Sequence, residues 1–77
     1  SPEIVKMSMD NTSIPLDMIF ILNKIIVEIE ANVPICRLSD CPNYGPEYAI
    51  DGVIELAAGE AERLKIKVGD QVSIRKI

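Results

Sequence analysis

The 77-residue chain has no histidine and no tryptophan, and its only aromatic residues are Phe20, Tyr44 and Tyr48. Without histidine, Ser8 and Ser13 have no imidazole to activate them, which excludes a Ser-His-Asp arrangement. A Cys-His nucleophile fails for the same reason. Glycine is sparse, and Gly45, Gly52, Gly59 and Gly69 stand apart, so no glycine-rich loop cradles a phosphate. No apolar run approaches the ~20 residues that a membrane-spanning helix needs; the longest, residues 18–22, has five. The chain also lacks the basic-then-apolar opening of a signal peptide. The expected location is the cytoplasm, or an exported compartment after signal removal. Basic residues are outnumbered, eight Lys and Arg against twelve Asp and Glu, for a net charge of −4. Nucleic-acid affinity draws mainly on phosphate neutralisation, so this balance opposes such a partner.

What is abundant is β-branched aliphatic side chain: 13 isoleucines and 6 valines. That bias favours half-buried strands over a helical bundle. With 48% apolar and 26% charged residues, the chain reads as one folded domain, residues 1–77, rather than a disordered segment. A domain of this size buries only about 60–65% of its unfolded surface, so its core is small. The charge is uneven. Residues 1–62 carry eleven acids and three bases, and residues 63–77 one acid and five bases. The basic end is read either as a solvated chain end or as a group that docks an acidic patch of a second subunit.

Along the chain, residues 4–9 suggest a short first strand, followed by the polar turn Asp10-Asn11-Thr12-Ser13, whose short side chains bond their own backbone. Residues 18–22, apolar on both faces, predict a central covered strand. Asn23-Lys24 then fits a two-residue hairpin turn. The next strand, residues 25–33, is predicted to place Ile25, Val27, Ile29 and Ala31 on one face and Ile26, Glu28 and Glu30 on the other. Residues 34–46 form a loop with three prolines, Gly45 and both cysteines; loops this long are usually functional or mobile. Residues 47–56 predict a strand with Tyr48, Ile50, Gly52, Ile54 and Leu56 aligned, and Gly52 on that face suggests close approach of a backbone or ligand. Residues 59–65 predict a short helix with Glu60 and Glu62 in its first turn and Ala61 and Leu64 on one face. Residues 71–77 predict a last strand with Val72 and Ile74 inward. Together these give an α+β, mainly β fold: a small barrel-like folded sheet of about five antiparallel or mixed strands with one short helix.

Chemistry-bearing residues are few. Asp17 enters a buried strand, where a carboxylate must find donors. It serves either as a raised-pKa acid, base or ligand contact, or as an acceptor for Asn11, Thr12 or nearby amides; the acceptor reading leads. Asp10, Asn11 and Thr12 face a ligand or form the turn. Tyr44 and Tyr48 line a pocket or pack at a loop junction. Asp51 and Glu55 share a strand face that reads as solvated. Cys36 and Cys41, five positions apart, are structural thiols, a local disulfide or a redox pair; two cysteines without histidine do not complete a zinc site.

The run Asn11-Thr12-Ser13-Ile14-Pro15-Leu16-Asp17 resembles the N-T-x-I-P-L-D signature of domain of unknown function 192, the uncharacterised ACR family of bacterial and archaeal proteins. Asn32-Val33-Pro34 with Cys36, Cys41, Pro42, Asn43 and Tyr44 is similar to that family's proline-cysteine loop. The stretch from Glu55 to Val72 resembles its closing helix-turn-strand. The resemblance runs from Met7 onward. The family's N-terminal portion, with its Arg-Gly-Leu-Met-like segment, is expected to be missing. The family usually has tryptophan and lysine around the methionine before Asn-Thr, where this chain has Ser8, Met9 and Asp10, and glycine where this chain has Lys65. The resemblance implies a barrel-like α+β fold, some exported relatives and no established activity.

These readings converge on a noncatalytic ligand-binding or protein-interaction module without a cofactor or metal. Its expected site is Asn11, Thr12, Asp17, Cys36, Cys41 and Tyr44, and its expected partner is a second copy in a homodimer. Two alternatives use other features. One is a dimeric swapped-hairpin nucleic-acid regulator, suggested by Leu64-Lys65-Ile66-Lys67-Val68-Gly69-Asp70. The other is a hydrolytic or redox enzyme using Asp17 or the Cys36 and Cys41 pair.

Overall fold

The apolar run at residues 18–22 becomes the middle of the molecule because both of its faces find cover. A computed structural model describes residues 1–73. Its elements are β1 (Met7–Ser8), β2 (Leu16–Leu22), β3 (Ile25–Val33), β4 (Asn43–Tyr44), β5 (Gly52–Ala57) and α1 (Glu60–Arg63). They form two antiparallel sheets, β1-β4 and β3-β2-β5. The fold is mainly β with one short helix, as expected, but among the described residues the sheets stay open and no barrel closes. Alternate side chains of β2 enter different cores. Met18 and Phe20 join Met9, Val33 and Ile50, while Ile19 and Ile21 join Ile26 and Ala61.

The hairpin turn lies at Asn23-Lys24, with φ of 51° and 65°, the left-handed pair that matches strand twist. The predicted faces of β3 do not survive. Its pairing with β2 skips a residue between Ile26 and Glu28, and again between Glu30 and Val33. Each extra residue reverses the alternation. Val27 therefore packs with the first core and Ile29 with the second. Binary patterning holds only where the backbone runs without bulges.

Other boundaries shift for local reasons. The first strand contracts to two residues plus a bridge between Glu3 and Ile50. The strand predicted over residues 47–56 begins only at Gly52. The bend at Asp51 sends Ile50 into the first core and Leu56 toward the second. Gly52 is not a point of close backbone approach: an added Cβ would meet only the Ile21 side chain, at 3.5 Å. The tight glycine is Gly45, at φ 137°, where a Cβ would lie 2.5 Å from the Val5 carbonyl oxygen. β4, inside the proline-cysteine loop, had no pattern to announce it. Of the predicted last strand, Gln71 bridges Ile25 and Val72 packs on the second core; Ile74 lies outside the described residues.

The helix is a single turn. Gly59, at φ 93°, precedes it. It closes with Ile66 N–H donating to the Ala61 carbonyl and Lys65 N–H to the Glu62 carbonyl. This is the bond pattern of a Schellman motif, which places a left-handed residue just past the helix. Lys65 occupies that position at φ 59°, where the family resemblance implies glycine.

Candidate functional site

Asp17 is the one buried charged residue among those described, 1% exposed. Its Oδ1 accepts the Asn32 amide at 2.8 Å, and its Oδ2 accepts those of Gly59 at 3.1 Å and Ala61 at 2.9 Å. Asn32 offers its amide because it sits in the second β3 bulge at φ 54°. Gly59 and Ala61 offer theirs because the first amides of a helix have no partner within it. Burial alone would raise the carboxyl, but the Asn32, Ala61 and Gly59 amides outweigh it and hold Asp17 below the ordinary carboxylate value. The leading acceptor reading holds and the raised-pKa alternative is overturned, although the donors come from distant segments rather than from Asn11 or Thr12. The carboxylate ties β2, β3 and the helix start together.

The remaining sequence-selected positions lie elsewhere. Asn11 is exposed at φ 59°. The Thr12 hydroxyl donates to the Asp10 carbonyl at 3.4 Å, and the Thr12 amide to Met9 at 3.3 Å, so both belong to the turn. Cys36 and Cys41 form a disulfide. Cys36 and Tyr44 pack on the first core, and β4 sets Tyr44 opposite Met7. Cys36, Cys41 and Tyr44 are thereby brought together over one face of β2, while the Asp17 carboxylate joins Ala61 on the other. Tyr48 is 48% exposed. Asp51 accepts the Asn23 amide at 3.1 Å and pins the hairpin turn.

The cavities are in a different place: Asn11, Thr12, Asp17, Cys36, Cys41 and Tyr44 line neither of the two, although Asp51 borders the larger. One, about 590 Å³, runs past Ile21, Lys24, Gly52 and Ile54; the next, about 440 Å³, runs past Leu56, Leu64 and Ile66. Both are bordered by Ile54, Gln71, Val72 and Ser73, so they form one groove over the second face of the sheet. Ile54 is 37% and Leu64 50% exposed. The helix pattern does not mark this groove: the i, i+3 spacing sets Ala61 and Leu64 on one face, yet Ala61 is buried while Leu64 stays half exposed. The signal was present in Ile54 and Leu56, which alternate opposite Ile19 and Asp17.

At the far edge of the sheet, Glu28 and Glu30 are half-buried. Burial, then the neighbouring Glu30, pushes the Glu28 carboxyl up, with Lys6 opposing. Lys6 itself binds Glu47 at 2.8 Å and the Gly45 carbonyl at 2.6 Å. Among the described residues, no three His, Cys, Asp or Glu side chains are grouped to hold a metal. No helix among them is long and apolar enough to cross a membrane.

Fold and site together define a small, open, antiparallel β domain whose buried acid is bonded within the chain and whose main concavity is apolar. The chain belongs to the uncharacterised ACR family, domain of unknown function 192, whose family model matches residues 1–74. That match begins ahead of Met7, where the motif resemblance starts. No curated protein and no solved structure matches the chain at a significant level.

Proposed function

We propose that the chain is a noncatalytic module that binds a polypeptide through the apolar groove over the second face of its sheet. The observation that carries this reading is the groove itself, lined by Ile54, Leu56, Leu64, Ile66 and Val72, with Asn23, Lys24, Asp51, Asp70, Gln71 and Ser73 also along it. An apolar groove of this kind takes the apolar side chains of a peptide segment. Asp17, the buried carboxylate, spends its oxygens on backbone amides. Asn11, Thr12, Cys36, Cys41 and Tyr44 enter the proposal as candidate contacts outside the groove, Asn11 and Thr12 forming the polar part, and Asp17 as the brace that shapes the groove's helical wall. A disulfide persists in oxidising compartments, which supports work outside the cytoplasm.

The test is an apolar fluorescent dye titrated onto the dilute, folded protein. Dye fluorescence is expected to rise, and Leu64→Glu to suppress that rise without changing the circular dichroism. A folded protein that never brightens the dye defeats the reading. The polar surface is tested by Asn11→Ala, expected to weaken partner binding while leaving dye binding intact.

A further inference from the structure

Between its two bulges, β3 runs in step with β2, with Glu28 opposite Phe20 and Glu30 opposite Met18. Residues directly opposite across a ladder share a face. Both carboxylates therefore stand on the side of the first core, next to two fully buried side chains, and both are half-buried there. Strict alternation would group them with Ile26, which packs on the second core.

Among the described residues, the charges that face Glu28 come from three places: Glu30 on β3 itself, Lys6 ahead of β1, and Glu47 after β4. β2 offers only Met18 and Phe20 there, neither of them ionisable. Three carboxylates thus meet one ammonium. That ammonium is already engaged, since Lys6 Nζ donates to Glu47 Oε1 at 2.8 Å and to the Gly45 carbonyl at 2.6 Å. The two bonds clip the segment ahead of β1 onto the passage at Gly45, where the Val5 carbonyl leaves no room for a side chain.

We propose that Glu28 and Glu30 form a proton-gated switch on this clip. While the pair shares one proton, Lys6 stays on Gly45 and Glu47. When that proton passes to solvent, Lys6 is drawn across to the paired carboxylates and releases the Gly45 carbonyl. Two adjacent, part-buried carboxylates resist ionising together, so one keeps a proton that the other accepts. Glu28 and Glu30 are close enough for that hydrogen bond. Burial, then the charge and the hydrogen bond of Glu30, hold the Glu28 carboxyl above its ordinary value, with Glu47 adding and Lys6 opposing. Once the proton leaves, two half-buried charges compete for Lys6 against Glu47, whose side chain is 90% exposed. Solvent screens the exposed partner and leaves it the weaker hold.

The stability sign is the reverse of that for Asp17. A folded value above the unfolded one gives stability that is fully present below the ordinary carboxylate range. It is lost as pH rises through the raised value. The switch lies on the face of the sheet opposite the groove and stands apart from the binding reading.

The test is a pH titration of the full chain by NMR, reading the side-chain carboxyl carbons of Glu28 and Glu30, the Gly45 carbonyl carbon and the Lys6 ammonium nitrogen. Both carboxyl carbons are expected to report one common step above the ordinary carboxylate range, and Gly45 and Lys6 to shift with the same midpoint. Glu30→Gln is expected to lower that step by roughly one pH unit and to carry the Gly45 response down with it. Glu28→Gln is expected to abolish the Gly45 response. Should a variant fail to fold, the shared midpoint in the unmodified chain decides alone. Carboxyls that titrate independently overturn the proposal, as does a Gly45 carbonyl that stays still through the common step. A Gly45 response unchanged in Glu28→Gln also overturns it and assigns the shift to another acid.

Discussion

The two faces of β2 receive the same kind of side chain and are both buried, but by different material. On one, Met18 and Phe20 are fully buried beneath β1, β4 and the disulfide loop. On the other, Ile19 and Ile21 lie under one helical turn and the segment that follows it, and a groove remains beside β5. The difference teaches that irregular chain, when tied down, seals a face more fully than a short helix does. Cover on the first side comes from residues with little regular structure, held by two-residue strands, the Cys36–Cys41 bridge and the tight passage at Gly45. Among the described residues, the second side is covered by one helical turn and the segment that follows it.

Breaking the sealed face should cost most. Phe20→Ala is expected to lose about 3–5 kcal/mol, a large part of the roughly 4–12 kcal/mol that a chain of this length holds. Its urea midpoint should fall steeply, whereas Ile54→Ala at the groove should move it by less than about 1 kcal/mol. Equal losses at the two sites would erase the contrast between the faces.

Asp17 joins the walls of the groove, and Asp17→Ala orphans the Asn32, Gly59 and Ala61 amides, for a loss of about 3 kcal/mol. Its carboxyl is held below its ordinary value in the folded state. Its contribution is therefore fully present above the ordinary carboxylate range and is lost as pH falls through the depressed folded pKa. Denaturant titrations across acid pH should show this slope, and Asp17→Asn should flatten it. An unaltered slope in that variant would assign acid sensitivity to other groups.

Removing the bridge with Cys36→Ser and Cys41→Ser should cost about 2 kcal/mol for so short a ring, read as a lowered thermal midpoint. The sealed face should loosen locally, with Tyr44 becoming more exposed to quenchers. The smallest effect has the opposite sign. Lys65→Gly relieves a left-handed lysine after the helix and should stabilise by about 0.5–1 kcal/mol, sharpening the groove wall without touching its floor.

Much of the fold was readable from residues. The doubly apolar run located the central strand, and Asn23-Lys24 located its turn, because period and turn chemistry are local. The β3 faces were not readable, since nothing local in Ile25–Val33 marks where bulges insert. β4 escaped because two residues carry no period. The acceptor role of Asp17 was readable from an acid entering a buried run. Its donors were not, because they depend on where Asn32 and Gly59 arrive in space. The disulfide was one of the alternatives left open, and the groove emerged only from the placement of the segment after the helix.

The bonds of Asp17 also bear on the order in which the chain assembles. Its partners lie 15, 42 and 44 residues away in sequence. The hairpin of β2 and β3 closes locally, whereas the other two bonds must wait until β5 has docked and the helix start has arrived. Contacts that span so much chain form against a larger closure entropy. This carboxylate therefore acts as a latch that engages late, and its loss should accelerate unfolding while leaving the folding limb of a chevron nearly in place.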